Sequence, residues 1–292
     1  MRYHESGIES CDHESACNLE LVMDIWRLLI HPPARGSWNM AVDEAILESV
    51  GRGEAPPTLR LYAWEPACLS LGYAQPVSDV DQLRLQARGW GIVRRPTGGS
   101  AILHADELTY AVIAPHDEPR VSGSVLVSYF RLAQALVCAL RDLGLDVHTK
   151  GKSVSSGRIS NPVCFEVSSA YEITVGGKKL IGSAQARRKQ GVLQHGSLPL
   201  TGDLSRIVQG IAFDNEEARQ KVAGRLLERA TTVESALGRL ISWDDTARAF
   251  VEAFHTTFNI TFKRSDLIRS EKGRVESLIV EKYGHPSWIG RI

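Results

Sequence analysis

Residues 161–197 read NPVCFEVSSAYEITVGGKKLIGSAQARRKQGVLQHGS, and the chain is organised around them. Tyr171-Glu-Ile-Thr-Val175 alternates polar and apolar residues, as a half-buried strand does. Gly176-Gly177 follows, and glycine takes the positive φ of a tight hairpin turn at little cost. The return strand begins with Lys178 and Lys179 and runs into a small-residue stretch, Gly182-Ser183-Ala184. Cys164 precedes the hairpin in an apolar setting. A thiol and an amine on neighbouring strands, beside backbone that a ligand can approach closely, would make an acyl-transfer site.

The whole chain is consistent with such a protein. It has 292 residues, a net charge of +0, 43% hydrophobic and 23% charged residues, which suffice for an ample core. A strongly basic nucleic-acid footprint is absent, and no apolar run reaches the length of a membrane span. Neither nucleic acid nor membrane is therefore expected as a partner. The five cysteines (11, 17, 68, 138 and 164) are odd in number and follow no regular framework. They indicate a reducing, cytoplasmic location with free thiols.

Residues 1–22 are polar and read as a disordered leader, with Met23 a natural start. His4, Cys11, His13 and Cys17 match no zinc-finger spacing. From residue 23 to 200 strands outnumber helices. Strand patterns cover 26–30, 58–64, 68–72, 107–114 and 145–149, and a further strand from Gly91 runs into Pro96. Ser37 or Asn39 would cap a helix over 38–50, and Ser78 a short one ending at Gly89. The segment 123–143 is amphipathic, with Val125, Leu126, Tyr129, Phe130, Ala133, Leu136, Val137 and Leu140 on its apolar face. Helices over 203–213, 216–227, from Ser242 to about 257, and from about 265, with a short strand at 259–262, make 201–292 a helical C-terminal portion of the same domain. Hairpin-length turns between strands predict an α+β fold, a mixed and largely antiparallel sheet packed with helices.

Two stretches add chemistry. Arg94-Arg-Pro-Thr-Gly-Gly99 reads equally well as a hairpin turn and as a site where backbone N–H groups and positive charge meet a carboxylate, phosphate or amide. Arg187-Arg-Lys189, with Lys150, Lys152 and Arg158, is a solvated basic face or a docking surface for an acidic protein.

Taken together, Arg94–Gly99, His104, Gly177-Lys-Lys-Leu-Ile-Gly-Ser-Ala-Gln185 and Gln194-His-Gly-Ser197 resemble the biotin/lipoate protein ligase superfamily. Asn39-Met-Ala-Val-Asp-Glu-Ala-Ile-Leu47 and Leu71-Gly-Tyr73 fit as well. Within it, Pro162-Val-Cys-Phe-Glu166 with Tyr171-Glu172 resembles the LipM-type octanoyltransferases, whose cysteine carries the acyl group. The resemblance implies the catalytic-domain fold of that superfamily and no need for ATP, metal or other cofactor. It implies octanoyl-acyl carrier protein as donor, a lysine of a lipoyl domain or glycine-cleavage H protein as acceptor, and a monomer.

It also implies roles. Cys164 would attack the donor thioester, and a nearby cation would lower its pKa from the ordinary ~8.5. Lys179 matches the family's site lysine and would stabilise the oxyanion, while strand parity sends Lys178 to solvent. Arg95, Gly98 and Gly99 would line the acyl pocket. Gly182, Ser183 and Ala184 would let backbone approach it, and His104 and His195 would act as bases or orienting groups. The family often has His-Asp after the glycine turn, where this chain has His104-Ala105-Asp106. An ATP-dependent lipoate–protein ligase, or a non-catalytic lipoyl-domain-binding protein, are the competing readings.

Overall fold

The computed structural model describes residues 24–151 and 171–292. The leader at 1–22 and Cys164, with Lys152 and Arg158, lie outside the described residues. The described strands are β1 (Asp24–Ile30), β2 (Thr58–Tyr62), β3 (Cys68–Leu71), β4 (Gly91–Arg94), β5 (Ile102–His104), β6 (Glu107–Ala114), β7 (Val147–Gly151), β8 (Tyr171–Val175), β9 (Lys178–Arg188), β10 (Gly191–Pro199) and β11 (Ile260–Arg264). Eight of them form one sheet in the order β11-β1-β2-β6-β10-β9-β8-β7. The pairs β11/β1 and β1/β2 are parallel, and every later pair is antiparallel. A small second sheet, β4-β3-β5, stands beside it. The fold is the mixed, largely antiparallel α+β sheet that the turn lengths predict.

Alternation along β6 shows how the sheet divides the core. Leu108, Tyr110 and Val112 join the cluster under α3 (Val125–Asp142) and α6 (Trp243–Phe258). Ala111 and Ile113 join the opposite cluster, under α1 (Gly36–Gly51) and α7 (Arg269–Leu278). Both faces are covered, so β6 is buried along its whole length. Helix α1 is buried nearly all round, pressed between this sheet and α7. The buried pair Arg27–Glu271, two hydrogen bonds at 2.9 and 2.7 Å, ties β1 to α7.

Several local expectations shift. Asn39 does not cap α1. It is fully buried, and its amide donates to Ala34 O and Ala63 O, bracing the helix start against the end of β2. Asp81, not Ser78, caps α2 (Gln82–Ala87), accepting from Arg84 N. Residues 203–213 hold only a six-residue 3₁₀ turn, Leu204–Gln209. Ser124 caps α3, whose first turns expose Val125, Leu126 and Phe130; the buried face starts at Ser128. Ser242 caps α6 as expected, accepting from Asp245 N. The short strand expected at 259–262 forms as β11 and joins the main sheet beside β1.

Candidate active site

The hairpin forms, with Gly176 at φ 54° and Gly177 at φ 80°. Its register decides which lysine faces inward. Val175 pairs with Lys178 and Thr174 with Lys179, but Ile173 pairs with Ile181, so Leu180 is an extra residue, a β-bulge. Leu180 and Ile181 therefore both enter the core under α3 and α6. Lys179 is turned to the other face, the face of Gly182 and Ala184. Unbroken alternation back from Gly182 would have left it on the wrong side. Lys179 is 5% exposed, with Nζ 3.6 Å from Glu172 Oε1. Lys178 is exposed and donates to Leu227 O at 2.6 Å.

On that face lies a narrow, mostly apolar slot with about 20 Å³ of free space, room for roughly one water. Its walls include Met40 from α1, Tyr62 and Trp64, Ile102 and His104 from β5, Gly182 and Ala184 from β9, and His195 to Ser197 from β10. Ser183 is not part of it: its hydroxyl meets Tyr110 OH at 2.8 Å on the opposite face. Beside the slot opens a wider cleft of about 640 Å³, lined by Tyr73, Gln75, Pro96, Gly98, Gly99 and Gln185 to Arg188. Strand β9 thus runs from the slot, at Ala184, straight into the cleft, at Gln185.

The glycine turn divides the two spaces. Gly99 sits at φ 92°, which only glycine adopts readily, and Gly98 has open space where a side chain would be. Arg95 reaches the slot wall, yet its guanidinium donates to Ser70 O, Gly98 O and Ser100 O. Arg95 thus braces the turn from the slot wall. Arg94 is buried for another reason: it grips Gly72 O, Gln75 O and, near the C-terminus, Ile289 O. The cleft is basic. Arg188 donates to Pro96 O, and it and Arg291 lie 5.1 and 4.3 Å from the Tyr73 ring. A hydrogen bond from Arg291 and that positive charge pull the Tyr73 hydroxyl below its ordinary pKa. Arg187 is partly held, donating to Gln185 Oε1 and Val121 O.

Both histidines line the slot, and each is held between a carboxylate and a hydroxyl. His104 Nδ1 is 2.8 Å from Glu107 Oε1 and Nε2 is 2.7 Å from Ser70 Oγ. Its ring stacks on Trp64, with centroids 3.9 Å apart. Glu107 also accepts from Thr109 and Ser197. Asp106, in left-handed backbone, turns out to Arg206. The carboxylate that serves His104 is therefore Glu107, not Asp106, so Ala105 leaves no gap. His195 Nδ1 is 3.3 Å from Asp43 Oδ2, and Nε2 is 2.7 Å from Thr97 Oγ1. Burial lowers the His195 pKa, against the pull of Asp43. Burial would raise the Asp43 carboxyl, but Arg60 at 2.6 Å and His195 hold it below the ordinary range.

Sequence reading missed Asp43, Glu107, Thr97 as a histidine partner, Ser70 and Trp64. The available signal was polarity out of place: an aspartate inside an apolar helix, and Glu107 and Thr109 two apart on an otherwise apolar strand. Cys68 is a core thiol. It is 1% exposed and burial pushes its pKa up to about 12, which makes it a poor nucleophile. Cys138 is only partly buried.

Comparison with known proteins agrees with this architecture. Residues 35–255 match the lipoyl protein ligase A/B catalytic domain. The octanoyltransferase LipM of Moorella thermoacetica is 40% identical over 270 residues, covering 92% of this chain and 98% of that one. That of Kyrpidia tusciae is 38% identical, covering 91% and 98%. Among solved structures, the bi-partite lipoate protein ligase of Thermoplasma acidophilum superposes with a TM-score of 0.76 at 27% identity, over 92% of this chain and 98% of that one. A lipoate-protein ligase A bound with ATP gives 0.74 at 26%, over 92% and 100%. The chain belongs to the lipoyl protein ligase A/B catalytic-domain family, on the branch of its LipM-type octanoyltransferases.

Proposed function

We propose that this chain is an octanoyltransferase of lipoate biosynthesis that works through a thioester on Cys164. The observation that carries the reading is the 40% identity to an octanoyltransferase across 92% of the chain. The geometry supports it: an apolar slot for an acyl chain opens on a basic cleft for a charged donor, and Lys179 is buried on the slot's face. The Cys164 thiolate attacks the carbonyl of the octanoyl-acyl carrier protein thioester, the carrier's thiol leaves, and an octanoyl-enzyme remains. The amine of a lysine on a lipoyl domain or glycine-cleavage H protein then attacks that carbonyl. The C–N bond forms first, giving a tetrahedral adduct; its nitrogen loses a proton, and the adduct collapses as the C–S bond breaks. The Lys179 ammonium faces the negative charge that develops on the carbonyl oxygen. The slot as it stands holds about one water, so the acyl chain enters by displacing side chains, with the unbranched, adaptable Met40 the readiest to move. The chain acts under this reading as a cytoplasmic monomer without ATP or metal.

One observation favours a second reading, an ATP-dependent lipoate–protein ligase. A solved relative at a TM-score of 0.74 is bound with ATP, and the 640 Å³ cleft beside the glycine turn is roomy enough for a nucleotide. The two separate in one assay with a purified apo lipoyl domain as acceptor. Octanoyl amide formed from octanoyl-acyl carrier protein without ATP supports the transferase. Amide formed only from free octanoate with ATP sinks it.

A further inference from the structure

We propose that His195, oriented by Asp43, is the base that takes the proton released when the acceptor amine attacks the acyl group. This rests on the acyl-transfer reading above and assigns a role that reading leaves open. Attack by an amine on a thioester gives a tetrahedral adduct whose nitrogen is positively charged. The adduct returns to reactants unless that nitrogen loses a proton, so amide formation needs a base within reach.

Three observations select His195. The first is its tautomer. An ionised carboxylate can only accept, so Asp43 fixes the proton on Nδ1 and leaves Nε2 with its lone pair, accepting from the Thr97 hydroxyl at 2.7 Å. The second is its place. His195 lines the slot, while its partner Thr97 lies between Pro96 and Gly98, which both line the cleft. Nε2 therefore points to the boundary where an acyl carbonyl coming from the slot meets a nucleophile coming from the cleft. The third is the contrast with His104. That ring is clamped by Trp64, and its Nε2 partner, Ser70 Oγ, also accepts from Arg95 Nη1 at 3.1 Å. Ser70 belongs to β3 and does not line the cleft. Thr97 needs only a rotation of its hydroxyl to release His195.

The charged and titratable groups facing His195 are Asp43 from α1, and Arg95 and His104 beyond the slot; Arg60 and Tyr62 reach it through Asp43. Burial, Arg95 and His104 keep the ring neutral and ready to accept, and Asp43 stabilises the imidazolium once formed. The proton moves from the adduct nitrogen to Nε2, the C–S bond breaks with the sulfur leaving as a thiolate, and Nε2 then releases the proton to solvent. No outside reactant is needed.

The test uses the full chain, octanoyl-acyl carrier protein and two acceptors: an apo lipoyl domain and hydroxylamine. Hydroxylamine is a far weaker base than lysine, and its adduct sheds its proton to water readily. His195→Gln should slow amide formation on the lipoyl domain by about 100-fold, the lower end for a general base. Transfer to hydroxylamine should fall much less. Asp43→Asn, which keeps the ring but not its tautomer, should give the same selective loss at a smaller size. Circular dichroism and thermal melts establish that each variant is folded. A purely structural role would lower both acceptors alike, and that result overturns the proposal. Wild-type rates on the lipoyl domain in both variants overturn it while leaving the acyl-transfer reading intact. A wild-type enzyme that yields no octanoyl product with either acceptor overturns both.

Discussion

Gly72 shows how closely the two halves of the site are joined. A Cβ built there would lie 1.7 Å from Gly99 O and 2.8 Å from Gly99 C, backbone atoms with no side-chain freedom to yield. The end of β3 and the glycine turn can touch only because residue 72 has no side chain. Gly72→Ala should push the turn away, costing roughly 3 kcal/mol, and should open the boundary that Thr97 and Gly98 form. A lowered melting temperature together with lost transfer activity checks this. A variant as stable and active as the parent would contradict the packing. Gly98 stands in contrast, since a Cβ there meets nothing. Glycines of two motifs that meet in the fold thus have different reasons to be there. Both motifs were visible in the sequence, but the reasons lay in what packs against each glycine.

At the scale of elements, the hairpin of β8 and β9 was readable because its strands alternate and its turn carries two glycines. The bulge at Leu180 was not. Alternation alone says only that Lys178 and Lys179 point opposite ways, and the family motif selected Lys179. The physical cause is the pairing of Ile173 with Ile181, which skips Leu180. From this, Lys179→Met should abolish transfer, losing on the order of 100-fold or more as oxyanion donors do. Lys178→Met, which removes one exposed contact to Leu227 O, should stay within a few-fold of the parent. Equal losses in the two variants, by steady-state assay, would contradict the register. Strands β5 and β10 also escaped the sequence reading. Every residue of β10 is buried, so polar and apolar positions do not alternate; Gln194 and Ser197 hydrogen-bond with neighbouring strands, and His195 with the glycine turn and α1. The histidine partners were hidden for a similar reason. Asp43 is 152 positions from His195, and only the fold puts α1 against β10. Glu107, three residues from His104, was within reach of a sequence argument once Asp106 is seen to turn outward.

The whole molecule carries a buried polar network from one end of α1 to the glycine turn. His31 Nδ1 accepts from Arg60 Nε at 2.9 Å, Arg60 holds Asp43, and Asp43 holds His195. Burial first, then the Arg60 charge, lower the His31 pKa from 6.5 to about 3. The unfolded chain takes up a proton near pH 6.5 that the folded chain refuses, so this group's contribution is present above pH 6.5 and is lost as pH falls toward 3. While the group titrates only in the unfolded state, the loss approaches about 1.4 kcal/mol per pH unit. His31→Gln keeps an acceptor for Arg60 and removes the titration. Urea unfolding at pH 7, 6 and 5 should show a shallower loss of stability in the variant, and an unchanged slope would contradict a neutral His31 in the fold.

Passage of octanoyl through a thioester on Cys164 is open to a direct test by intact mass spectrometry. The protein is mixed with octanoyl-acyl carrier protein without ATP or acceptor and weighed. The mass should rise by one octanoyl group, lost on treatment with hydroxylamine and absent in Cys164→Ala, while Cys68→Ala still gains it. An octanoyl adduct that persists in Cys164→Ala, or lipoyl-domain modification by that variant at the parent's rate, would contradict it.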